Sequence, residues 1–205
     1  MPGEPEARCR TLLADLLRPF GGAAAESWSD ILIDRFGSLA ALLAAKPEAQ
    51  ERALPEAAAV QFLGTLRSAM LHSLQTEIAA KPVISTLPAL HDYLKAQMAH
   101  GVAEHFRVLF LNSKNHLLTD EVVSLGTVDE APIYPREVMR RALELGATAL
   151  IMVHNHPSGD PEPSRSDIAV TRDIADAGRQ LGVRVHDHLI VAKGGTISFR
   201  ALGLL

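Results

Sequence analysis

The sequence predicts an α/β (α+β) protein in which a mixed sheet covered by helices follows a small all-helical domain. In about the first 80 residues, apolar side chains recur at helical spacing. From there on, the patterns alternate as helix, strand, strand, helix, strand, helix, strand, strand, which favours a sandwich around a mixed sheet. Pro82 and Pro88 lie between the two parts and indicate a linker. We therefore expect domains at residues 1–80 and 84–205.

Leucines define the helices of the first domain. Those at 12, 13, 16 and 17 give residues 7–19 one apolar face, and Pro19 with the Gly21-Gly22 pair is expected to end this helix. The same reasoning predicts further helices over residues 28–35, 38–45 and 55–80. We interpret their apolar stripes as core.

Composition and charge exclude several classes of protein. With 47% hydrophobic and 21% charged residues, the chain is an ordinary globular sequence. Its apolar runs are too short to span a membrane, its N-terminus lacks a secretory signal, and its one cysteine, Cys9, has no partner, so we expect a cytoplasmic protein. The net charge is −4 and neither half is basic, which does not favour direct binding to DNA.

Residues 147–167 concentrate the polar groups that can carry chemistry. An apolar strand over 149–153 is predicted to stop at His154. Alternate residues of an extended chain point the same way, about 6 to 7 Å apart, so His154 and His156 can face one point. A loop with three prolines follows, and Ser164 is placed to cap a helix whose first turn contains Asp167.

Two imidazoles and one carboxylate suit a catalytic zinc, because three protein ligands leave one tetrahedral position for water. Each piece alone also has a simpler explanation, since Ser-x-x-Asp before an apolar helix is first of all an N-terminal cap. The combined spacing of His154, His156, Ser164 and Asp167 is what predicts one Zn²⁺ per chain.

The run HNHPSGDPEPSRSD (154–167) resembles the metal signature of the JAB/MPN (JAMM) metallopeptidases, and HNHPSGD resembles their RadC branch. Residues 104–118, 134–167 and 185–205 also resemble RadC proteins, so the likeness covers roughly the C-terminal 120 residues. It implies a cytidine-deaminase-like, JAB/MPN fold. Asn112 departs from the aspartate usual there. The first domain is similar to a degenerate helix-hairpin-helix, but ERALPEAAAVQFLG (51–64) lacks the Gly-x-Gly turn that would contact DNA.

Glu104 is the candidate general base. It opens the predicted strand EHFRVLF and shares a face with Phe106. From the residues alone, a partly solvated glutamate at a strand start is the favoured interpretation; the resemblance, in which the Glu of the E-x-F element is catalytic, favours catalysis instead. Glu130, Glu137 and Glu144 are rivals expected on solvated faces.

Ser164 is expected to donate its hydroxyl to an oxyanion, as well as or instead of capping the helix. A second pair, His186 and His188, lacks a carboxylate at the motif spacing. We interpret it as hydrogen-bonded core, with His188 the better candidate to support a metal ligand.

Two functional hypotheses follow. The first is a zinc-dependent JAMM-type hydrolase of an amide or isopeptide bond in a peptide or protein conjugate; the resemblance implies this chemistry but assigns no substrate. The second is a DNA-repair-associated DNA-binding or adaptor protein with a structural or vestigial metal site.

Overall fold

The structure, a computed structural model, describes residues 4–125 and 133–205. The chain divides into two compact units, Met1–His72 and Ser73–Leu205, with the boundary inside a long helix. The first unit is entirely helical and contains α1 (Glu4–Gly21), α2 (Ala25–Phe36), α3 (Leu39–Ala44), α4 (Pro47–Glu51) and most of α5 (Ala57–Ala79).

The core of the first unit is built from the apolar stripes of its helices. Leu13 and Leu17 of α1 are fully buried with Leu32 of α2 and Leu42 of α3. Helix α1 continues through Pro19, so the predicted bound at this residue is wrong, and it ends at Gly21, the first residue of the glycine pair that is also expected to end it. A proline in the last turn removes one backbone hydrogen bond there and leaves the earlier turns intact.

The second unit contains the mixed sheet. The stretch predicted to be a linker includes a 3-10 turn at Val83–Thr86, and Pro88 lies in the first turn of the following helix. The elements after it are α6 (Leu87–Met98), β1 (His105–Leu111), β2 (Leu117–Leu125), α7 (Pro135–Glu144), β3 (Ala149–His156), α8 (Arg165–Leu181), β4 (Arg184–Ala192) and β5 (Gly195–Ser198).

The five strands lie in the order β2-β1-β3-β4-β5. Only β3 and β4 are parallel, joined by the crossover helix α8, and the other pairs are antiparallel. Alternate side chains face opposite sides of the sheet, so Ile151 and Val153 pack with α6 while Leu150 and Met152 pack with α7 and α8. The predicted mixed-sheet sandwich is therefore confirmed.

Strand β3 is the central strand and is buried along nearly its whole length. Its prediction was wrong at one end: it does not stop at His154 but continues to His156. The reason lies in the neighbouring strand, since β4 continues the parallel ladder until Ala192 pairs with His156. Among the described residues, no helix combines the length and hydropathy needed to cross a bilayer.

Candidate metal centre

Three side chains from two elements converge at the C-terminal end of β3. His154 and His156 end the strand, and Asp167 lies in the first turn of α8. The two histidine Nε2 atoms are 2.9 Å apart. Asp167 Oδ1 is 3.3 Å from His154 Nε2, and Asp167 Oδ2 is 3.6 Å from His156 Nε2. The structure thus brings together all three residues for which the sequence predicts a metal site.

The spacing of these atoms fits one small cation. Zinc binds imidazole nitrogen and carboxylate oxygen at about 2.0–2.2 Å, so tetrahedral ligand atoms lie about 3.3–3.5 Å from one another. The imidazole nitrogens are 2.9 Å apart and lie 3.3 and 3.6 Å from the two different oxygens of Asp167, distances close to this value. Two imidazole nitrogens and a carboxylate oxygen that face one another also need a proton or a cation between them, because lone pairs repel. The donor set therefore fits zinc.

Each candidate histidine has a partner for its second ring nitrogen. His156 Nδ1 lies 2.8 Å from the carbonyl oxygen of Asp160, which can only accept, so Nδ1 carries a proton and, in the neutral ring, Nε2 has the lone pair. His154 Nδ1 lies 2.8 Å from Nε2 of His188, a fully buried histidine. Metal-binding histidines ordinarily have such a partner, which fixes the tautomer and the ring orientation.

The loop that carries Asp160 is fastened to the β4–β5 turn. Gly194 N donates to Gly159 O at 2.9 Å. A Cβ on Gly194 would lie 2.7 Å from that oxygen, so a side chain there would push the two backbones apart. The absence of a side chain at residue 194 therefore keeps the acceptor of His156 in place.

Ser164 and Asp167 form a capping box at the start of α8. Ser164 Oγ accepts from Asp167 N at 3.1 Å, and Asp167 Oδ2 accepts from Ser164 N at 2.7 Å and from Ser164 Oγ at 2.6 Å. Two hydrogen bonds thus hold Oδ2, while Oδ1 faces His154. The two interpretations of this motif, helix cap and metal site, are compatible, because the cap orients the carboxylate.

The electrostatics of the three groups are coupled. Hydrogen bonding to Asp167 raises the pKa of His156, outweighing the lowering by burial. Burial by itself would raise the pKa of Asp167, but the neighbouring side chains of His154, His156 and Ser164 hold the pKa of this carboxyl well below its usual range. Asp167 is consequently an anion in the folded protein. Its carboxylate therefore supplies the negative charge that binding of a cation requires.

Glu104 lies just before β1 and close to His156. The antiparallel register pairs Phe106 with His154, so Glu104, two residues before Phe106, comes alongside His156. Its negative charge contributes to the raised pKa of His156, after the larger effects of Asp167, burial and Asp160. The side chain is half-buried. The rivals Glu137 and Glu144 are exposed on α7, where they pair with Arg140, and Glu130 lies outside the described residues.

Asn155 is one of two residues near the site whose roles sequence reasoning missed. Its buried side chain points to the sheet face opposite the two histidines, accepts from His105 N at 2.9 Å and donates to Ala103 O at 3.0 Å. These two backbone groups flank Glu104, so Asn155 fixes the segment that carries the candidate base. Gly101 leaves room for it, since a Cβ there would lie 3.0 Å from Asn155 Nδ2.

The second His-x-His pair is divided between two places. His186 bonds to Asn115 Oδ1 through Nε2 at 2.6 Å, away from the site. His188 lies directly behind His154, and its other ring nitrogen is 2.6 Å from Thr171 Oγ1. No local pattern in the sequence indicates Thr171, although its position four residues after Asp167 places it on the same face of α8.

The second unit, whose mixed sheet presents a His-x-His pair opposite a carboxylate at the start of a helix, is a JAB domain. The family model for the RadC-like JAB domain matches residues 84–204, and the chain belongs to this family. A similar protein is the UPF0758 protein of Rhodobacter capsulatus. It is 50% identical over 175 residues, which cover 85% of this chain and 82% of the relative.

Proposed function

We propose that this protein is a zinc-dependent hydrolase of the JAMM type that cleaves an amide or isopeptide bond. One observation carries the proposal: His154 Nε2, His156 Nε2 and an Asp167 carboxylate oxygen converge within 4.8 Å of one another, with a glutamate beside them. The histidines and the carboxylate are the three zinc ligands. A bound zinc supplies Lewis-acid polarisation and lowers the pKa of water, which is the chemistry that an unreactive amide requires.

Glu104 has the role of general base and then general acid. It takes a proton from the attacking water and delivers it to the leaving nitrogen, so the amine departs neutral. Its position beside His156 and its flanking hydrogen bonds to Asn155 support this role, because a general base must be held within reach of the proton that it moves.

Ser164 has the role of stabilising the oxyanion that forms when water adds to the carbonyl. Its hydroxyl donates to Asp167 Oδ2, and its backbone N–H donates to the same oxygen. The hydroxyl can therefore turn toward a substrate oxygen while the N–H keeps the carboxylate in place. A hydrogen bond to a developing negative charge stabilises the transition state more than the ground state.

The substrate class is a peptide or a protein conjugate. Support for it comes from the resemblance to JAMM metallopeptidases, whose ligand set recurs in this chain at His154, His156 and Asp167. The net charge of −4 favours such a substrate over a phosphate backbone.

The first experiment measures bound metal. Protein purified after zinc-supplemented expression should contain about one equivalent of zinc by mass spectrometry of the metal, and less than about a tenth of an equivalent would contradict the proposal. His154→Ala and Asp167→Asn should lose the zinc. His91→Ala removes a histidine of α6 and is the matched control, which should retain it.

The second experiment tests hydrolysis with a library of peptides and lysine isopeptides analysed by mass spectrometry. The wild type should release amines from part of the library. Glu104→Gln should retain zinc and lose turnover by about 100-fold or more, as expected for a general base. If Glu104→Gln and Asp167→Asn lose metal equally, Glu104 is a ligand and its proposed role is wrong.

A further inference from the structure

A continuous chain of buried hydrogen bonds runs behind the candidate metal centre. His154 Nδ1 lies 2.8 Å from His188 Nε2, and His188 Nδ1 lies 2.6 Å from Thr171 Oγ1. Thr171 Oγ1 in turn lies 2.5 Å from the main-chain carbonyl oxygen of Asp167. Neither His188 nor Thr171 is more than 1% exposed. This chain of hydrogen bonds therefore begins at the side chain of one candidate ligand, His154, and ends at the main chain of another, Asp167.

The last acceptor fixes the direction of the two hydrogen bonds nearest to it. The carbonyl oxygen of Asp167 can only accept, so the hydroxyl of Thr171 donates to it. Because this hydrogen bond uses the only proton of the hydroxyl, Thr171 Oγ1 must accept from His188 Nδ1. His188 is fully buried and packs against the rings of Phe106 and Phe199, surroundings that disfavour a charged imidazole.

The remaining assignments follow from a neutral His188. With its proton on Nδ1, its Nε2 has only a lone pair, so His154 Nδ1 must carry the proton of that hydrogen bond. A neutral His154 then has an unprotonated Nε2. That nitrogen is the atom facing His156 Nε2 and Asp167 Oδ1, where a cation requires a lone pair.

We propose that Thr171 and His188 are positioning residues that hold His154 in its Nδ1–H tautomer and so present its Nε2 lone pair to the metal. This inference rests on the proposed function. Because the chain ends on the backbone of Asp167, it also ties the first turn of α8 to β3, and thereby couples the carboxylate ligand to the histidine ligand.

A purely structural role is the competing explanation. Threonines inside helices commonly donate to the carbonyl four residues earlier, and buried histidines need partners for stability alone. In that case, the loss of the Thr171 hydroxyl would lower the stability of the metal-free protein and leave its affinity for zinc unchanged. The two explanations therefore differ in zinc affinity and in the tautomer of His188.

The affinity test compares Thr171→Val, which keeps the shape and removes the hydroxyl, with Thr171→Ser, which restores it. Zinc affinity is measured by competition with a chromogenic chelator, and metal-free thermal unfolding is recorded in parallel. Thr171→Val should weaken zinc binding by about 10- to 100-fold, the usual effect of removing a partner of a metal ligand, whereas Thr171→Ser should stay within about threefold of wild type. Equal zinc affinity in wild type and Thr171→Val would overturn the inference.

The tautomer test uses the wild-type protein and needs no substitution. Long-range proton–nitrogen NMR spectra of ¹⁵N-histidine-labelled protein should show His188 protonated at Nδ1 and bare at Nε2, with and without zinc. A proton on His188 Nε2 would reverse the direction of the hydrogen bond between His154 and His188 and overturn the inference. If the wild type binds no zinc, the proposed function fails, while the metal-free spectrum still decides whether His154 is held in the stated tautomer.

Discussion

Substitution of Asp167 by asparagine should separate its two roles, as a metal ligand and as part of the helix cap. Its Oδ2 is held by the backbone N–H and hydroxyl of Ser164, and its Oδ1 faces His154 Nε2. An asparagine has only one oxygen. If that oxygen remains with Ser164, the amide nitrogen faces His154, and an amide NH₂ group cannot bind a cation. We therefore expect α8 to remain capped and zinc binding to fail.

The magnitude follows from the number of ligands. Structural zinc sites with four ligands bind with about 10–16 kcal/mol, or about 3 kcal/mol per ligand, so the loss of one should weaken binding by about 100-fold or more. Competition with a chelator measures this. Asp173→Asn is the matched control, because it removes the same charge from an exposed position on α8 and should bind zinc like the wild type. An affinity of Asp167→Asn within about threefold of wild type would refute the assignment of Asp167 as a ligand.

The same variant should change how stability depends on pH. The pKa of His156 is raised in the folded metal-free protein, chiefly by Asp167. A raised folded pKa contributes stability that is present below the unfolded pKa of about 6.5 and is lost as pH rises through the folded pKa. The unfolding free energy of metal-free wild type should therefore fall across neutral pH, and that of Asp167→Asn should change less. Urea denaturation at several pH values measures both, and parallel curves would contradict the coupling.

The remaining predictions concern zinc binding, stability and partners. Zinc affinity should rise with pH, by about tenfold per unit below the pKa of His156, because a proton must leave before zinc binds; chelator competition between pH 5 and 8 measures it, and a flat profile would contradict histidine ligation. Asp120, a fully buried carboxylate, accepts from Arg107 Nε at 2.9 Å and from the Tyr93 hydroxyl at 2.6 Å. Asp120→Ala should lower the free energy of unfolding by about 3–5 kcal/mol and Tyr93→Phe by about 1–3 kcal/mol, as urea denaturation would show; equal losses would contradict a buried ion pair. Asn155→Ala should bind zinc within about threefold of wild type yet hydrolyse a cleaved library peptide about 100-fold more slowly, because the candidate base is no longer held. A gel shift at about 0.15 M salt should leave a DNA duplex unbound, and a tight complex with a steep salt dependence would favour the DNA-binding alternative.

The parts of the site that the sequence predicts are those encoded within a short stretch. His154, His156, Ser164 and Asp167 lie within 14 positions of one another in one strand, one loop and one helix start. Local rules of strand alternation and helix capping are enough to place them. Glu104 is 50 residues away, and only the resemblance to a family selected it from among the other glutamates.

The parts that the sequence did not predict depend on contacts between distant segments. The role of Asn155 requires the register of β1 against β3, which no local pattern specifies. The hydrogen bond between His188 and Thr171 requires helix α8 to pack against strand β4 with these two residues side by side. Similarly, α4 has only five residues, too few to establish a helical periodicity. The continuation of β3 to His156 depends on the parallel strand beside it.

Alternate side chains at the end of strand β3 have different roles on the two faces of the sheet. His154 and His156 project to one side of the sheet, while Asn155, between them, projects to the other and secures the neighbouring segment. A single inserted or deleted residue within the strand would exchange these sides and disable both functions at once. Length changes among descendants of this chain should accordingly accumulate in its connecting turns, whereas the eight residues Ala149–His156 should keep a constant count.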